Sequence, residues 1–427
     1  MYFCASACFH PIVCTVGSIL PFMLYLFLIL LFSLSPVCTI AQQPLCPSPA
    51  STSLTLLFVG DLMQHKAQID AAYDASGLYH YDACFAKVKQ RIQEADIAIG
   101  NLEVTLGGKP YSGYPMFSAP DAFLPALSEA GFDILLTANN HCLDRGKRGL
   151  ERTILQLDSM KILHAGTYLN THDRSKRYPL LIEKKGFRIA LLNYTYGTNG
   201  IPVTAPNIVN YIDKEQIIKD IQSAQSSRPD AIIACMHWGD EYKLLPNREQ
   251  QELADWLITQ GVSHIIGSHP HVVQPMELRN NQMQQHVVVY SLGNFISNMS
   301  APNTDGGAIV SLTLEKQMLN TPIPPRIPPH SYAPSFDTTT LASSFCRVAA
   351  CTYSLVWTGR PNLTGNKNFM LYPVDDASIP SLSTKARNKL KIFTEATRKL
   401  FKEHNIGIEE EKKCTKNEKK AQNILQK

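Results

Sequence analysis

Five polar clusters each follow a short apolar run of chain: Gly60-Asp61-Leu62-Met63-Gln64-His65, Gly100-Asn101-Leu102-Glu103, Asn139-Asn140-His141-Cys142-Leu143-Asp144, His237-Trp238-Gly239-Asp240-Glu241 and Gly267-Ser268-His269-Pro270-His271. Together they offer carboxylates, amides and imidazoles, a donor set for one or two divalent metals. Imidazole suits Zn, Fe and Mn, while carboxylate and amide oxygens favour harder ions such as Mn or Mg. A carboxylate can bridge two cations, and a metal pair about 4 Å apart can share a water, lower its pKa and neutralise phosphoryl oxygens. His141 differs from the other histidines. Three residues before Asp144, it is placed to stay unliganded and give a proton to a leaving oxygen, with Asp144 holding its tautomer.

Each residue also has a structural reading. His65 alone reads as a hydrogen-bonded strand-end residue, and Asn139 and Asn140 as turn formers. Glu103 reads equally as a carboxylate at a helix N-terminus, and Trp238, Tyr242 and Phe295 as pocket wall or core. The His269-Pro270-His271 pair resists this best, because two imidazoles directly after Ile265-Ile266-Gly267 are costly to bury without partners.

The clusters follow short β-branched runs at 54–59, 97–99, 134–137, 231–236 and 264–266, with similar runs at 189–193 and 287–291. Such runs are the signature of strands buried on both faces. Helical spacing lies between them, in Phe85, Val88 and Ile92, in 150–160, in 216–224, and in Leu253, Trp256 and Leu257. Alternation of this kind predicts an α/β fold. Ligands of α/β sheets bind beyond the strand carboxyl ends, so clusters remote in sequence are expected to meet there.

With 427 residues, 44% of them apolar and 18% charged, the chain can build a large core, and a net charge of +4 is too small for binding nucleic acid by counterion release. No Lys, Arg, Asp or Glu precedes Asp61, and residues 20–34 are almost wholly apolar. Fifteen such residues are short for a bilayer span and suit a secretory h-region. Residues 1–41 are therefore expected to be a signal peptide, cut after Ala41, or an N-terminal membrane anchor, since no basic residue marks an n-region. The chain is expected to be exported and membrane-anchored, periplasmic or extracellular. Residues 42–53 read as a linker, and 54–375 as one domain. Within it, 318–348 read as a Pro-rich insertion, with six prolines between Thr321 and Pro334. Residues 376–427 form a basic tail, helical or disordered: thirteen Lys and Arg against six Glu lie between Lys385 and Lys427. Eleven cysteines include four in the leader, and the other seven are scattered without C-x-x-C spacing, so unpaired thiols are expected.

In order, VGDLMQH, GNLEVTL, TANNHCLDRG, MHWGDEY, GSHPHVVQ and YSLGNFISN resemble the CapA family of capsule-synthesis proteins, associated with poly-γ-glutamate synthesis or export. That family is similar to calcineurin-like metallophosphoesterases, which implies a four-layer α/β/β/α sandwich with metals at the strand carboxyl ends. By position, Asp61 resembles the first metal carboxylate, Asn140 the metal amide, His141 the acid or transition-state histidine, and His237, His269 and His271 the remaining imidazole ligands. Two departures stand out. The phosphoesterase pattern has Asp-x-His at its first strand, whereas three residues separate Asp61 from His65. Its bridging Asp is replaced by Asn101, with Glu103 as the substitute bridge. The resemblance implies a role in synthesis, retention or release of an anionic polymer within a capsule-synthesis membrane complex. A metal-dependent envelope hydrolase of phosphoesters or γ-glutamyl amides, and a non-catalytic polycarboxylate-binding module, are the alternatives.

Overall fold

The computed structural model describes residues 51–281, 284–318 and 344–411. The expected leader, most of the linker, most of the Pro-rich insertion and the end of the basic tail lie outside the described residues. In chain order the strands are β1 (Ser51–Leu62), β2 (Ile97–Leu102), β3 (Ile134–Leu136), β4 (Leu163–Ala165), β5 (Thr167–Tyr168), β6 (Leu180–Lys184), β7 (Phe187–Thr195), β8 (Ile208–Val209), β9 (Ala231–His237), β10 (His264–Ser268), β11 (Met276–Asn280), β12 (Gln285–Val289), β13 (Asn294–Ile296), β14 (Gly306–Met318), β15 (Ser344–Gly359), β16 (Met370–Pro373) and β17 (Glu409–Glu410).

They form two large sheets and a small one. The first runs β16-β15-β14-β1-β2-β3-β4, with β13 paired to β1 and β17 to β15; the second runs β11-β12-β10-β9-β7-β6; β5 and β8 pair separately. Within the first, β1, β2, β3 and β4 are mutually parallel, and within the second β7, β9, β10 and β12 are. Parallel order brings the carboxyl ends of each set to one sheet edge, which is where the polar clusters emerge.

Alternation along β1 shows how the layers stack. Leu54, Leu56 and Phe58 share one core with Ile189, Leu191 and Ile233 of the second sheet, whereas Leu57 and Val59 pack with Phe85, Phe123 and Leu127 from helices on the outer face. Side chains of a strand point alternately to opposite faces, so each sheet face needs its own cover. Helices Lys214–Ser226 and Arg248–Thr259 bury Ile217, Ile221, Ala254 and Leu257 with the core that contains the second sheet. The result is an α/β/β/α sandwich. Asp213 caps the first of these helices at Gln216 N–H, and Asn247 with Gln250 forms a capping box at the second.

The strands extend beyond the apolar runs that mark them. β1 begins at Ser51, inside the expected linker, because Ser51 to Ser53 continue the antiparallel ladder to Gln317, Lys316 and Glu315. β15 begins at Ser344, inside the expected insertion, where Ser344 to Val348 pair with Met318 to Leu314. Backbone pairing needs no apolar side chain, so Ser51 to Ser53 carry no hydrophobic signature. Helix Thr384–His404 seats Phe393 and Phe401 in the main core, with the Phe401 ring 4.8 Å from that of Tyr353 on β15. Among the described residues no helix is long and apolar enough to cross a membrane. Cys84, Cys142, Cys235, Cys346 and Cys351 are free thiols.

Candidate metal centre

Two glycines let the clusters approach one another. A Cβ on Gly60 would lie 1.8 Å from the Gly293 carbonyl oxygen, and one on Gly267 would lie 2.0 Å from that of Tyr290. Asp61 N–H then donates to the Gly293 carbonyl at 3.1 Å, fixing the turn that presents Asp61. After β10 the backbone bends sharply, with φ of 101° at His269 and 58° at His271. Left-handed backbone at non-glycine residues is strained and concentrates at functional sites.

Asp61, Glu103, Asn140, His237, His269 and His271 are all buried and gather in one cluster. Ligand atoms of Glu103, His269 and His271 lie within 4.8 Å of one another, as do those of Asp61, Glu103 and His237. Glu103 belongs to both sets. Its Oε1 is 3.8 Å from His237 Nε2 and 3.7 Å from His271 Nε2, and it has no hydrogen-bond partner. Separations of this size are those of two ligands sharing one ion, each about 2.1 Å away.

The surrounding polar groups settle which atoms are available. His271 Nδ1 is 3.1 Å from both Asp61 Oδ2 and Asn294 Oδ1, and Asn294 is oriented by its own donation to the Thr304 carbonyl at 2.9 Å. Nδ1 therefore carries the ring proton and Nε2 presents a lone pair toward Glu103, the arrangement of a carboxylate–histidine pair behind a metal. His237 Nε2 is 2.9 Å from Asn140 Oδ1, and Asn140 in turn donates to Asn199 Oδ1 at 3.2 Å.

Charge balance also fits a cation. Burial, the adjacent Asp61 carboxylate and the more distant Glu241 and Asp144 push the Glu103 carboxyl well above the usual range. Neither Glu103 nor Asp61 pairs with a Lys or Arg among the described residues. Burial, and after it the neighbouring His269, His271 and His141, hold His237 far below an ordinary imidazole, while burial and then His271 bring His269 down to about 3. Neutral imidazoles beside crowded carboxylates form a donor set that lacks only the positive charge. His269 Nδ1, buried without a partner, adds a further free donor.

His141 stands at the side of this cluster. Its Nδ1 is 2.7 Å from Asp144 Oδ2, which also accepts from Phe117 N–H at 2.7 Å. Burial pushes the Asp144 carboxyl up, against the opposing pull of His141 and Phe117. The Phe117 ring stands edge-on between His141 at 4.7 Å and His65 at 5.3 Å. His65 is hydrogen-bonded to Gln68 and to Asn298 N–H, and burial brings it down to about 4. Trp238 and Phe295 are core, the indole N–H donating to the Tyr290 carbonyl at 2.9 Å. Tyr242 and Tyr196 remain about half exposed at the rim, and Tyr196 packs against His269 at 4.5 Å. Asn294, Asn199 and Phe117 contribute to the site although no sequence pattern gave reason to place them there. Asn294 acts through its side-chain amide on His271, and Phe117 through its backbone N–H and its ring, contacts that no local spacing announces. Asn294 does fall within YSLGNFISN.

A family model described as bacterial capsule synthesis protein PGA_cap matches residues 55–299. The chain is 27% identical over 274 residues to the capsule biosynthesis protein CapA of Bacillus anthracis, covering 61% of this chain and 64% of the relative. It is 27% identical over 289 residues to the PGA biosynthesis protein CapA of Bacillus subtilis strain 168, covering 65% and 72%. The match thus spans slightly less than two thirds of the B. anthracis protein. Among solved structures, the NAD nucleotidase NadN of Haemophilus influenzae aligns with a TM-score of 0.43 and 11% identity, over 88% of this chain and 67% of that one.

Proposed function

The chain belongs to the bacterial capsule synthesis protein PGA_cap family, and we propose that it acts in the synthesis, retention or release of an anionic capsule polymer such as poly-γ-glutamate through a divalent-metal centre at its strand ends. The observation that carries the metal centre is Glu103 Oε1, fully buried, unpartnered and equidistant from two imidazole nitrogens. Glu103, His269 and His271, with Asp61 and His237 across the cluster, are the residues that would hold one or two divalent ions. A bound ion of this kind supplies Lewis acidity and an activated water. The protein's own contribution is positional. Phe117 N–H holds Asp144, and Asp144 accepts the His141 Nδ1–H, so Nε2 is the ring atom that faces a leaving oxygen and, when the ring carries a proton on both nitrogens, gives it one. The buried Phe117 ring against His141 and His65 excludes bulk water on that side, and the half-exposed Tyr196 and Tyr242 border the entrance.

Placement at the cell envelope is part of the proposal and is supported by the uncharged first sixty residues with their apolar run at 20–34. A part in making a capsule polymer is supported by the names of the two Bacillus relatives, a capsule biosynthesis protein and a PGA biosynthesis protein. Elemental analysis of the purified full chain, with Glu103→Gln alongside, tests the centre: divalent metal in the wild type and at least a tenfold loss in the variant are expected. Turnover of phosphodiesters and γ-glutamyl peptides with Mn, Fe or Zn then tests the chemistry. Absence of turnover with every ion would remove the hydrolytic reading, and poly-γ-glutamate binding that survives chelation would point to a binding module.

A further inference from the structure

Asn101 occupies the middle of the cluster, and the direction of its amide is fixed from outside. The backbone N–H of His141 donates to Asn139 Oδ1 at 3.2 Å, and Asn139 Nδ2 donates to the Leu102 carbonyl at 2.8 Å. Both partners are main-chain groups of unambiguous polarity, so Asn139 cannot be turned over. Its Nδ2 also lies 3.3 Å from the Asn101 side chain, which must therefore present Oδ1 on that side. The Asn101 NH2 is left facing inward. It donates to Asp61 Oδ1 at 2.8 Å and lies 3.3 Å from His237 Nδ1 and 3.4 Å from Glu103 Oε2.

This has two consequences for the Asp61–Glu103–His237 set. A group with two N–H bonds carries partial positive charge and offers no lone pair, so it repels a cation where those three residues converge. His237 is turned the same way: Asn140 donates its N–H to Asn199, so its Oδ1 accepts the ring proton at His237 Nε2, and Nδ1 is left facing the Asn101 amide and, at 3.3 Å, Ser268 Oγ. Asp61 is engaged on both oxygens, Oδ1 accepting from Asn101 and Oδ2 from His271, which leaves it fewer lone pairs for an ion. In the Glu103–His269–His271 set Asn101 reaches only Glu103 Oε2: Glu103 Oε1 and His269 Nδ1 are unpartnered, and His271 Nε2 faces Oε1 at 3.7 Å.

We propose that the centre takes one divalent cation, at Glu103, His269 and His271, and that Asn101 excludes a second from the Asp61–His237 side. The inference rests on the metal-centre reading above, and the two fail differently. Full-length protein stripped with chelator and reloaded with excess Mn(II) is assayed for bound metal by elemental analysis and for magnetic coupling by electron paramagnetic resonance. One Mn per chain with the spectrum of an isolated ion is expected. Asn101→Asp keeps an acceptor for Asn139 but sets a carboxylate oxygen against Asp61 Oδ1, a repulsion that a second cation relieves. That variant is expected to bind twice as much Mn, to show a coupled spectrum, and to gain more thermal stability from Mn than the wild type. Two coupled ions in the wild type would overturn the inference, as would a folded Asn101→Asp that still binds one. No bound Mn in the wild type would instead overturn the metal centre itself. The wild-type measurement stands even if the variant does not fold.

Discussion

Asp144 Oδ2 accepts the His141 Nδ1–H at 2.7 Å while its other oxygen, Oδ1, is buried with no partner. The carboxylate thus spends one oxygen on orienting the ring and on Phe117 N–H, and neither residue has a ligand atom in the Glu103-centred sets. Their role is separable from metal retention. Asp144→Asn would bury an amide N–H without an acceptor and loosen the ring. If the centre hydrolyses phosphodiesters, Asp144→Asn and His141→Ala should each lower kcat by about 10²–10⁴ with metal content unchanged. The double variant should be little worse than either single one, because groups acting as a unit are not additive. Loss of metal in His141→Ala would reassign His141 as a ligand.

Gly60 predicts a purely steric effect on the same site. A methyl there would sit 1.8 Å from the Gly293 carbonyl oxygen, itself the acceptor for Asp61 N–H. Backbone on both sides leaves no flexible side chain to move. Gly60→Ala should cost about 3 kcal/mol or more in urea unfolding, together with reduced metal content. Gly197→Ala is a suitable control, because nothing lies within 4 Å of its Cβ position and its backbone is not left-handed.

How much of this was legible in the sequence depended on burial. β7, β9 and β10 are apolar on both faces and announce themselves as continuous runs that end in polar clusters. The edge strand β6 alternates buried and exposed residues over only five positions, and β11 is mostly half-exposed and charged, so neither stands out from a loop. In the site, residue type identified carboxylates and imidazoles but not hydrogen-bond direction. Position alone shows only that Asn101 stands where the phosphoesterase pattern has its bridging Asp. Its action as a donor follows from Asn139, whose orientation depends on the backbone of residues 102 and 141. Asn294 reaches His271 because β13 pairs in parallel with β1, Asp61 opposite Asn294, a pairing 233 residues apart in sequence that no local pattern encodes.

The C-terminal helix is expected to be part of the fold and not an appendage. Phe393 is 1% exposed, and a Cβ on Gly306, at the start of β14, would meet the Phe393 ring at 2.5 Å. That close approach ties the helix to the hairpin that carries β14 beside β1. Phe393→Ala should cost about 3–5 kcal/mol, measured by urea unfolding, against well under 1 kcal/mol for the exposed Lys399→Ala. A variant with wild-type stability would show that the helix packs elsewhere.

His264 should make the protein acid-sensitive independently of the metal centre. Its ring is fully enclosed at the start of β10, with Nδ1 accepting from Val287 N–H at 3.1 Å. Burial, with the nearby His286 adding repulsion, brings it down to about 3. Asp230 and Arg347 line the same small cavity of about 250 Å³, but burial remains the largest influence. Because the folded value lies below that of the unfolded chain, near 6.5, the unfolded state binds the extra proton. The contribution is therefore whole above pH 6.5 and is lost as pH falls toward 3, at up to about 1.4 kcal/mol per pH unit. By pH 5 the loss from this one group should reach about 2 kcal/mol. His264→Asn keeps an acceptor for Val287 N–H and removes the titration. In chelator, its unfolding free energy should fall less steeply between pH 7 and pH 5 than the wild type's, by up to one proton; parallel slopes would show that the imidazole is protonated in the folded chain.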